Sequence, residues 1–200
     1  KNKIDFLQRI LGYSLTAETS EEKCFILYGK KTRNGKGTLM DTILYMLGDY
    51  GRTAVPETLA IKKWKDASKA SSDIARLNGC RFLNISEPSH DMVIDSALLK
   101  TLTGRDKIVA RFLNQNEFEF YPMFKLFINT NHLPIINDDT VFKSGRINVI
   151  TFDRHFKDEK QDKELKDKLK VENEISGIFN WLLEGLENFR EEGLTTPEEI

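Results

Sequence analysis

Residues 29–38 of the sequence, GKKTRNGKGT, combine glycines and cations in a pattern that can bind phosphate. An apolar run at 24–28 precedes them, and apolar residues at helical spacing follow them. Glycines let backbone N–H groups turn toward an anion, the N-terminus of the next helix adds partial positive charge, and Lys36 adds a full charge. This strand–loop–helix order predicts a loop that binds the phosphates of a nucleoside triphosphate such as ATP. The residues predicted to contact the nucleotide are Gly29, Thr32, Arg33, Asn34, Gly35, Lys36, Gly37 and Thr38.

The loop departs from the usual phosphate-binding pattern in two ways. Five residues separate Gly29 from Gly35, one more than usual, and Gly37 stands where Ser or Thr usually holds Mg²⁺. Thr38 follows one position later and can contact either a phosphate or the metal ion. The alternative interpretation is a glycine-rich turn whose lysines are simply solvated.

Glu87 is the candidate acid that would accompany this loop, because a phosphate site needs a group that holds Mg²⁺ or activates water. It follows an apolar run at 81–85 that predicts a buried strand. A carboxylate at the exit of such a strand lies beside the nucleotide crevice in α/β folds. Ser86 precedes it, so a pair of metal-binding carboxylates is missing. The alternative is a surface glutamate that begins a turn before Pro88.

Composition favours an ordinary globular domain. The 200 residues are 40% hydrophobic and 30% charged, and the net charge of −1 means that any contact with nucleic acid depends on a local basic patch. Cys24 and Cys80 lie in apolar runs and are expected to be buried free thiols. No apolar stretch approaches the roughly 18 residues of a membrane span. The chain begins at Lys1 rather than Met, as expected of a piece of a longer protein.

The hydrophobic pattern predicts α/β architecture with a mainly parallel sheet, since apolar runs and helical stripes alternate early in the chain. The predicted strands lie at 24–28, 81–85, 124–128 and 147–152, and the predicted helices at 4–15, 39–47, 94–102 and 175–189. Alternating polarity around a polar tip predicts a β-hairpin from strands at 107–112 and 117–121. Residues 51–69 are expected to be irregular, and the charged residues 157–172 to form a solvated helix face.

Together, several segments resemble the superfamily 3 helicase domain of phage and plasmid primase–helicases, a branch of the AAA+ ATPases. The matching segments lie at 6–12, 28–38, 76–87, 102–111, 127–134 and 142–152. The resemblance implies a P-loop NTPase of AAA+ type: a central, mainly parallel sheet flanked by helices, with a β-hairpin insertion before the sensor strand and small helical ends. It divides the chain into a helical lead-in at 1–23, a P-loop ATPase core at 24–153 and a C-terminal helical extension at 154–200.

The resemblance also implies catalytic roles for four residues. Lys36 would cradle phosphates, and Glu87 would orient water, with Thr38 and Glu87 as candidate Mg²⁺ ligands. Asn131, which follows an apolar strand, matches the polar sensor of the γ-phosphate. Arg146 matches the arginine that reaches the ATP site of a neighbouring subunit, although Lys143 competes for that role because relatives often carry adjacent arginines.

The predicted hairpin matches the one that lines the central channel of such helicases and grips DNA. Its candidate DNA-binding residues are Arg105, Lys107, Arg111 and Asn114. Cations and amides bind phosphate without reading sequence, and the alternative is an ordinary charged hairpin face. A second basic–aromatic cluster at 62–65 either stacks a base on Trp64 or covers the edge of the core.

The expected function is an ATP-dependent DNA helicase motor in phage, plasmid or mobile-element replication, with ATP and Mg²⁺ bound between subunits of a homo-hexamer. Its partners would be single-stranded or forked DNA, with a possible primase region in the same parent chain, no membrane, and the cytoplasm of a bacterial host as its location. One rival is a nucleoside-monophosphate-type kinase, whose loop also contains Gly-Lys-Gly-Thr. Another is an ATP-binding replication initiator that does not unwind DNA.

Overall fold

A parallel β-sheet forms the centre of the molecule in the computed structural model, which describes residues 2–62, 71–198 and 200. The strands are β1 Cys24–Tyr28, β2 Gly51–Ala54, β3 Phe82–Ser86, β4 Ile108–Ala110, β5 Phe118–Phe120, β6 Lys125–Thr130 and β7 Ile147–Thr151. The helices are α1 Asn2–Tyr13, α2 Lys36–Leu47, α3 Ser72–Ala75, α4 Ser96–Thr103, α5 Asp139–Lys143, α6 Leu165–Lys168 and α7 Glu172–Glu192. Short 3₁₀ turns occupy Gly48–Tyr50, Pro56–Thr58 and Asp158–Lys160.

The sheet has the strand order β2-β3-β6-β1-β7, and every pairing in it is parallel. β1 and β6 are interior strands, which explains the apolar runs at 24–28 and 126–128, since both faces of each strand are covered. In a parallel sheet all the carboxyl ends meet at one edge. The segments that follow β1, β3 and β6 therefore converge there, where ligands bind in open α/β sheets.

Two hydrophobic cores cover the two faces of this sheet. Along β1, Cys24 and Ile26 belong to the core that includes α4 and the β4–β5 hairpin, whereas Phe25 and Leu27 belong to the core that includes α1, α2 and α7. The second core contains an aromatic row in which the ring of Phe127 lies 5.1 Å from that of Phe25 and 4.6 Å from that of Phe82. Burial of each such ring contributes about 1.5–3 kcal/mol.

Helices α1 and α7 cross at a pair of glycines. A Cβ atom added to Gly12 would lie 2.3 Å from the backbone nitrogen of Leu186, and one added to Gly185 would lie 2.2 Å from the backbone oxygen of Gln8. Only glycine allows backbones to approach this closely. The ring of Tyr13 packs 4.5 Å from that of Phe189 beside the crossing. The division of the chain at 23 and 153 stays a prediction, and α1 and α7 pack together in one core.

Cys24, Cys80 and Lys125 are titratable side chains that the fold buries in or beside the sheet. Burial raises the pKa of the Cys24 and Cys80 thiols to about 12, and both cysteines are free, as the sequence predicted. Lys125, the first residue of β6, donates to the backbone oxygens of Thr16 (2.6 Å) and Glu18 (3.1 Å). Burial, and secondarily the nearby charge of Arg81, lowers the pKa of Lys125 to about 7.

The predicted fold class is confirmed, including a hairpin that precedes the strand β6. Two elements were missed: β2 lies in a segment that the sequence predicted to be irregular, and α5 was not predicted at all. β2 is a four-residue edge strand without an apolar run, and α5 is only five residues long, so neither carries a readable period. Of the basic–aromatic cluster at 62–65, residues 63–65 lie outside the described residues. Within the described chain, no helix has both the length and the apolarity needed to cross a bilayer.

Candidate functional site

The loop between β1 and α2 has the backbone shape expected of a phosphate-binding turn. Gly35 adopts φ +91°, and a Cβ there would meet open space, so glycine is needed for conformation rather than for room. At Gly29, by contrast, glycine is needed for lack of room. A Cβ at Gly29 would lie 2.1 Å from Nδ2 of Asn34, 2.8 Å from the backbone oxygen of Phe152 and 2.9 Å from Nζ of Lys36. The loop therefore folds over a position that only a hydrogen can occupy.

Lys36, the first residue of α2, holds its ammonium group at the centre of this turn. Nζ donates to Oδ1 of Asn131 at 2.9 Å, to Oδ1 of Asn34 at 3.1 Å and to the backbone oxygen of Gly29 at 3.5 Å. Burial lowers the pKa of Lys36, and the charge of Glu87 partly offsets this effect. All three acceptors are neutral oxygens, so an anionic ligand would gain from the charge of the ammonium group.

Glu87 follows β3 directly, and its backbone N–H donates to the carbonyl oxygen of Asn129 on β6 at 2.8 Å. Its φ of +54° is unusual for a residue with a Cβ. Strained backbone of this kind concentrates at functional sites, where the surrounding structure holds it. Asn131 occupies the corresponding position after β6. Both side chains therefore lie at the carboxyl edge of the sheet, where the sequence predicted them.

These residues line one cleft of about 260 Å³. Its walls are Thr32, Arg33, Asn34, Gly35, Lys36, Gly37, Thr38, Glu87, Asn129, Asn131 and Lys166. Most of the predicted nucleotide contacts are thus brought together with the predicted acid and sensor, while Gly29 lies beneath the turn. Among the described residues there is no cluster of three His, Cys, Asp or Glu side chains that could hold a metal ion by themselves.

A segment after β7, residues 153–168, crosses the phosphate loop and is here called the strap. Its Phe156 N–H donates to the backbone oxygen of Arg33 at 2.9 Å, and Nδ1 of His155 donates to that of Thr32 at 2.7 Å. The side chain of Arg33 pairs with Asp158 of the strap. The prediction that residues 157–172 are solvated is confirmed by their exposure, but most of the segment is not helical: only Leu165–Lys168 and the first residue of α7 are α-helical.

Two residues of the cleft lining were not predicted, Asn129 at the end of β6 and the cation Lys166. Lys166 lies on α6, within the strap, and forms an ion pair with Asp41 of α2. Asp41 follows Thr38 by three residues and lies on the same face of α2. Nothing in the local sequence signals this contact, since 125 positions separate the two partners.

Arg146 lies at the other edge of the sheet, immediately before β7. Its guanidinium donates to Oε2 of Glu22 at 2.8 Å, to the backbone oxygen of Glu22 at 3.1 Å and to Oγ1 of Thr103 at 2.7 Å. It does not line the cleft of its own chain. Lys143, the competing cation, is exposed at the end of α5.

The four predicted DNA-binding residues lie on or beside the β4–β5 hairpin. Lys107 pairs with Glu119 across the hairpin at 2.8 Å, Asn114 has φ +58° at the exposed tip, and Arg105 is exposed. Arg111 is half-buried, and its backbone N–H donates to Oγ of Ser71 at 3.1 Å. None of the four lines the cleft. Their role in binding DNA stays a prediction.

A five-stranded parallel sheet with a glycine turn after β1, a polar residue after the adjacent strand β6 and another after β3 on the far side of β6 defines a P-loop NTPase fold. The chain belongs to a family of unknown function, DUF5906, which matches residues 27–146. The matched region begins in β1 and ends at Arg146, so it contains the phosphate loop, Glu87, Asn131 and the hairpin.

Viral proteins are similar to this chain, and each is named a putative helicase. L207/L206 of Acanthamoeba polyphaga mimivirus is 33% identical over 152 residues, which are 76% of this chain and 16% of the relative. 022R of Frog virus 3 (isolate Goorha) is 32% identical over 139 residues, 68% of this chain and 14% of the relative. V13 of the Sputnik virophage is 28% identical over 92% of this chain and 25% of the relative. The chain therefore spans a quarter or less of these relatives, and a bacterial host stays a prediction.

The fold matches solved structures of the NrS-1 C-terminal region. One apo structure superposes with a TM-score of 0.69 at 20% identity and covers 97% of this chain and 43% of that one. A second structure gives a TM-score of 0.68 at 20% identity and covers 89% of this chain and 40% of that one. The names of the viral relatives confirm the resemblance to helicase domains, and the likeness to the NrS-1 structures confirms the fold.

Proposed function

We propose that this domain is the ATP-hydrolysing motor of a DNA helicase. The observation that carries the proposal is the buried Lys36 ammonium group, whose hydrogen-bond acceptors among the described residues are all neutral oxygens and which faces a cleft shared with Glu87 and Asn131. A phosphate chain supplies the negative charge that this arrangement favours. The viral relatives named as helicases support the same activity.

The residues of the cleft fit the tasks of phosphoryl transfer. Lys36 and the backbone N–H groups of the loop would hold the phosphates, and Asn131 would leave Lys36 to orient the attacking water. Glu87 would accept a hydrogen bond from that water and assist its attack on the terminal phosphorus. Mg²⁺, held by Thr38 or Glu87 together with the phosphate oxygens, would neutralise charge in the transition state. A site built from few protein ligands suits Mg²⁺, which usually relies on substrate phosphates.

Arg146 fits a role in a neighbouring subunit rather than in its own. It precedes the five-residue strand β7, whose far end faces the cleft, so about 16 Å of sheet separates it from that edge. Assembly into a ring, proposed here as a homo-hexamer, would bring the Arg146 of one copy to the cleft of the next. Its pairing with Glu22 would then orient it, and Lys143 is the alternative finger.

The hairpin would carry the DNA contact. Arg105, Lys107 and Arg111 lie on or beside it, and Asn114 adds an amide at its tip. Contacts of this kind bind the phosphates of single-stranded or forked DNA without reading the bases. Movement of the hairpins after hydrolysis would pull the strand through the ring. A primase region in the parent protein remains part of the proposal.

The test measures ATPase rate against protein concentration, with and without single-stranded DNA. A ring motor gives a specific rate that rises steeply with concentration and increases with DNA. Lys36→Ala should lose nucleotide binding, whereas Glu87→Gln should keep it and lose turnover. Full turnover by Glu87→Gln would remove Glu87 from the mechanism. Transfer of phosphate to a nucleoside monophosphate, without any response to DNA, would identify a kinase instead.

A further inference from the structure

We propose that Lys166 is a second phosphate-binding cation of the cleft and that Asp41 holds it in place until a nucleotide arrives. The inference rests on the proposed function, because it assumes that the cleft binds a nucleoside triphosphate. Lys166 lies far from the phosphate loop in sequence, and it belongs to the strap rather than to the glycine turn. It would turn the strap from a covering segment into part of the binding site.

The geometry gives Lys166 access to the same space as Lys36. Both residues line the cleft, with Lys36 at its floor on the first turn of α2 and Lys166 on the strap. Besides the contacts of His155 and Phe156 with the loop, two ion pairs hold the strap, that of Asp158 with Arg33 and that of Lys166 with Asp41. Lys170, just beyond α6, adds a further contact, with its Nζ 5.4 Å from the ring of Tyr45 on α2. These contacts hold the Lys166 ammonium at the rim of the cleft.

The charges of the cleft favour the movement of the Lys166 ammonium group from Asp41 to a bound phosphate. The cleft lining contains the cations Arg33, Lys36 and Lys166 and one carboxylate, Glu87. Arg33 and Lys166 are each ion-paired outside the phosphate turn, with Asp158 and Asp41, so Lys166 must leave Asp41 to join Lys36 on a phosphate. A phosphate oxygen and the carboxylate of Asp41 would therefore compete for the same ammonium group.

The ion pair that Lys166 would leave is weak. The side chains of Lys166 and Asp41 are 50% and 44% exposed, and ion pairs this open to solvent contribute little, because water and salt screen them. A phosphate chain offers more negative charge in a less hydrated place, where charge-assisted hydrogen bonds are stronger. The nucleotide therefore wins the competition, and loss of Asp41 should make its binding tighter.

The experiment titrates a fluorescent N-methylanthraniloyl derivative of ATP, with Mg²⁺, into the 200-residue chain and its variants. Lys166→Met should weaken binding about tenfold, as expected for loss of one charge-assisted hydrogen bond. Lys168→Met is the matched control on the same helix, because Lys168 pairs with Asp162 at 2.8 Å and does not line the cleft. It should bind the probe as the wild type does.

Asp41→Asn separates a direct contact from a merely structural one. It should tighten binding about threefold, since the weak competing pair is gone, and the gain should vanish in the double variant with Lys166→Met. A misfolded variant cannot bind more tightly. Equal affinities for Lys166→Met and Lys168→Met, or an Asp41→Asn gain that survives without Lys166, would overturn the inference alone. Absence of binding by the wild type would overturn the proposed function as well.

Discussion

The crossing of α1 and α7 gives a sharp test of how tightly this domain is packed. In Gly185→Ala the new methyl carbon would lie 2.2 Å from the backbone oxygen of Gln8 and 2.7 Å from its carbonyl carbon. These are backbone atoms of α1, so no side-chain rotation relieves the contact. The two helices must move apart by about 1 Å to reach ordinary separation, and the core behind them loosens.

The expected cost follows from two opposing effects. Overpacking costs about 3 kcal/mol, the upper part of its usual range, because the backbone cannot yield. Alanine recovers about 1 kcal/mol through its higher helix propensity. Gly185→Ala should therefore lower the free energy of unfolding by about 2 kcal/mol. Gly177, two turns earlier on α7, has nothing within 4 Å of its Cβ position, so Gly177→Ala should raise stability by about 1 kcal/mol.

Circular dichroism during urea and thermal unfolding measures both variants. The free energies of unfolding of the two variants should differ by about 3 kcal/mol, which corresponds to a difference of about 6–12 °C in Tm for a chain of this size. Each variant should keep the helix content of the wild type at low temperature. Equal stability of the two variants, or a stabilised Gly185→Ala, would mean that α1 and α7 do not touch at Gly185, and the reasoning would fail.

Three further predictions concern the cleft, the proposed finger and a buried lysine. Gly29→Ala should weaken nucleotide binding at least tenfold, as measured by equilibrium titration, because its methyl group displaces Lys36. Mixing Arg146→Ala subunits into wild type should reduce ATPase turnover more than dilution does, because each such subunit would leave the cleft of a neighbour without its arginine. Burial lowers the pKa of Lys125 to about 7 from its ordinary 10.5, so the unfolded chain binds more protons between these values. Stability should therefore rise between pH 7 and 8.5, by up to about 1.4 kcal/mol per pH unit, and Lys125→Met should remove that rise in urea unfolding.

Each of these predictions has an outcome that contradicts it. Normal nucleotide affinity of Gly29→Ala would mean that the loop opens without cost. A strictly proportional loss with Arg146→Ala, together with a disproportionate loss with Lys143→Ala, would assign the finger to Lys143. An unchanged pH slope in Lys125→Met would show that the carbonyl oxygens around Lys125 compensate its charge fully.

The sequence was sufficient to predict the central strands and the residues at their ends. Apolar runs at β1, β3 and β6 mark doubly covered strands, and parallel pairing then requires that Glu87 and Asn131 meet beside the phosphate loop. The prediction of Glu87 depends on chain-local signals joined by one topological rule, whereas that of Asn131 came from the resemblance to the helicase family. Such signals are strong when a strand is long, apolar and central.

The contacts that were missed have no local signature. Lys166 reaches Asp41 across 125 positions, and Lys125 is an apparently ordinary strand lysine that the fold buries against backbone oxygens. From sequence alone a charged residue is predicted to be exposed to solvent, because only the tertiary structure shows which charged residues have a partner. β2 was missed for a related reason: an edge strand is held by its hydrogen bonds to the neighbouring strand, here β3, and does not require an apolar sequence of its own.

The two buried thiols make the domain convenient for spectroscopy. Thiolates react with maleimides and thiols do not, so Cys24 and Cys80, with pKa values of about 12, should remain unlabelled near neutral pH. A cysteine introduced at Leu113, which is 71% exposed near the hairpin tip, would then be the single reactive position. A dye attached there would report the movement of the hairpin during turnover, without any prior removal of native cysteines.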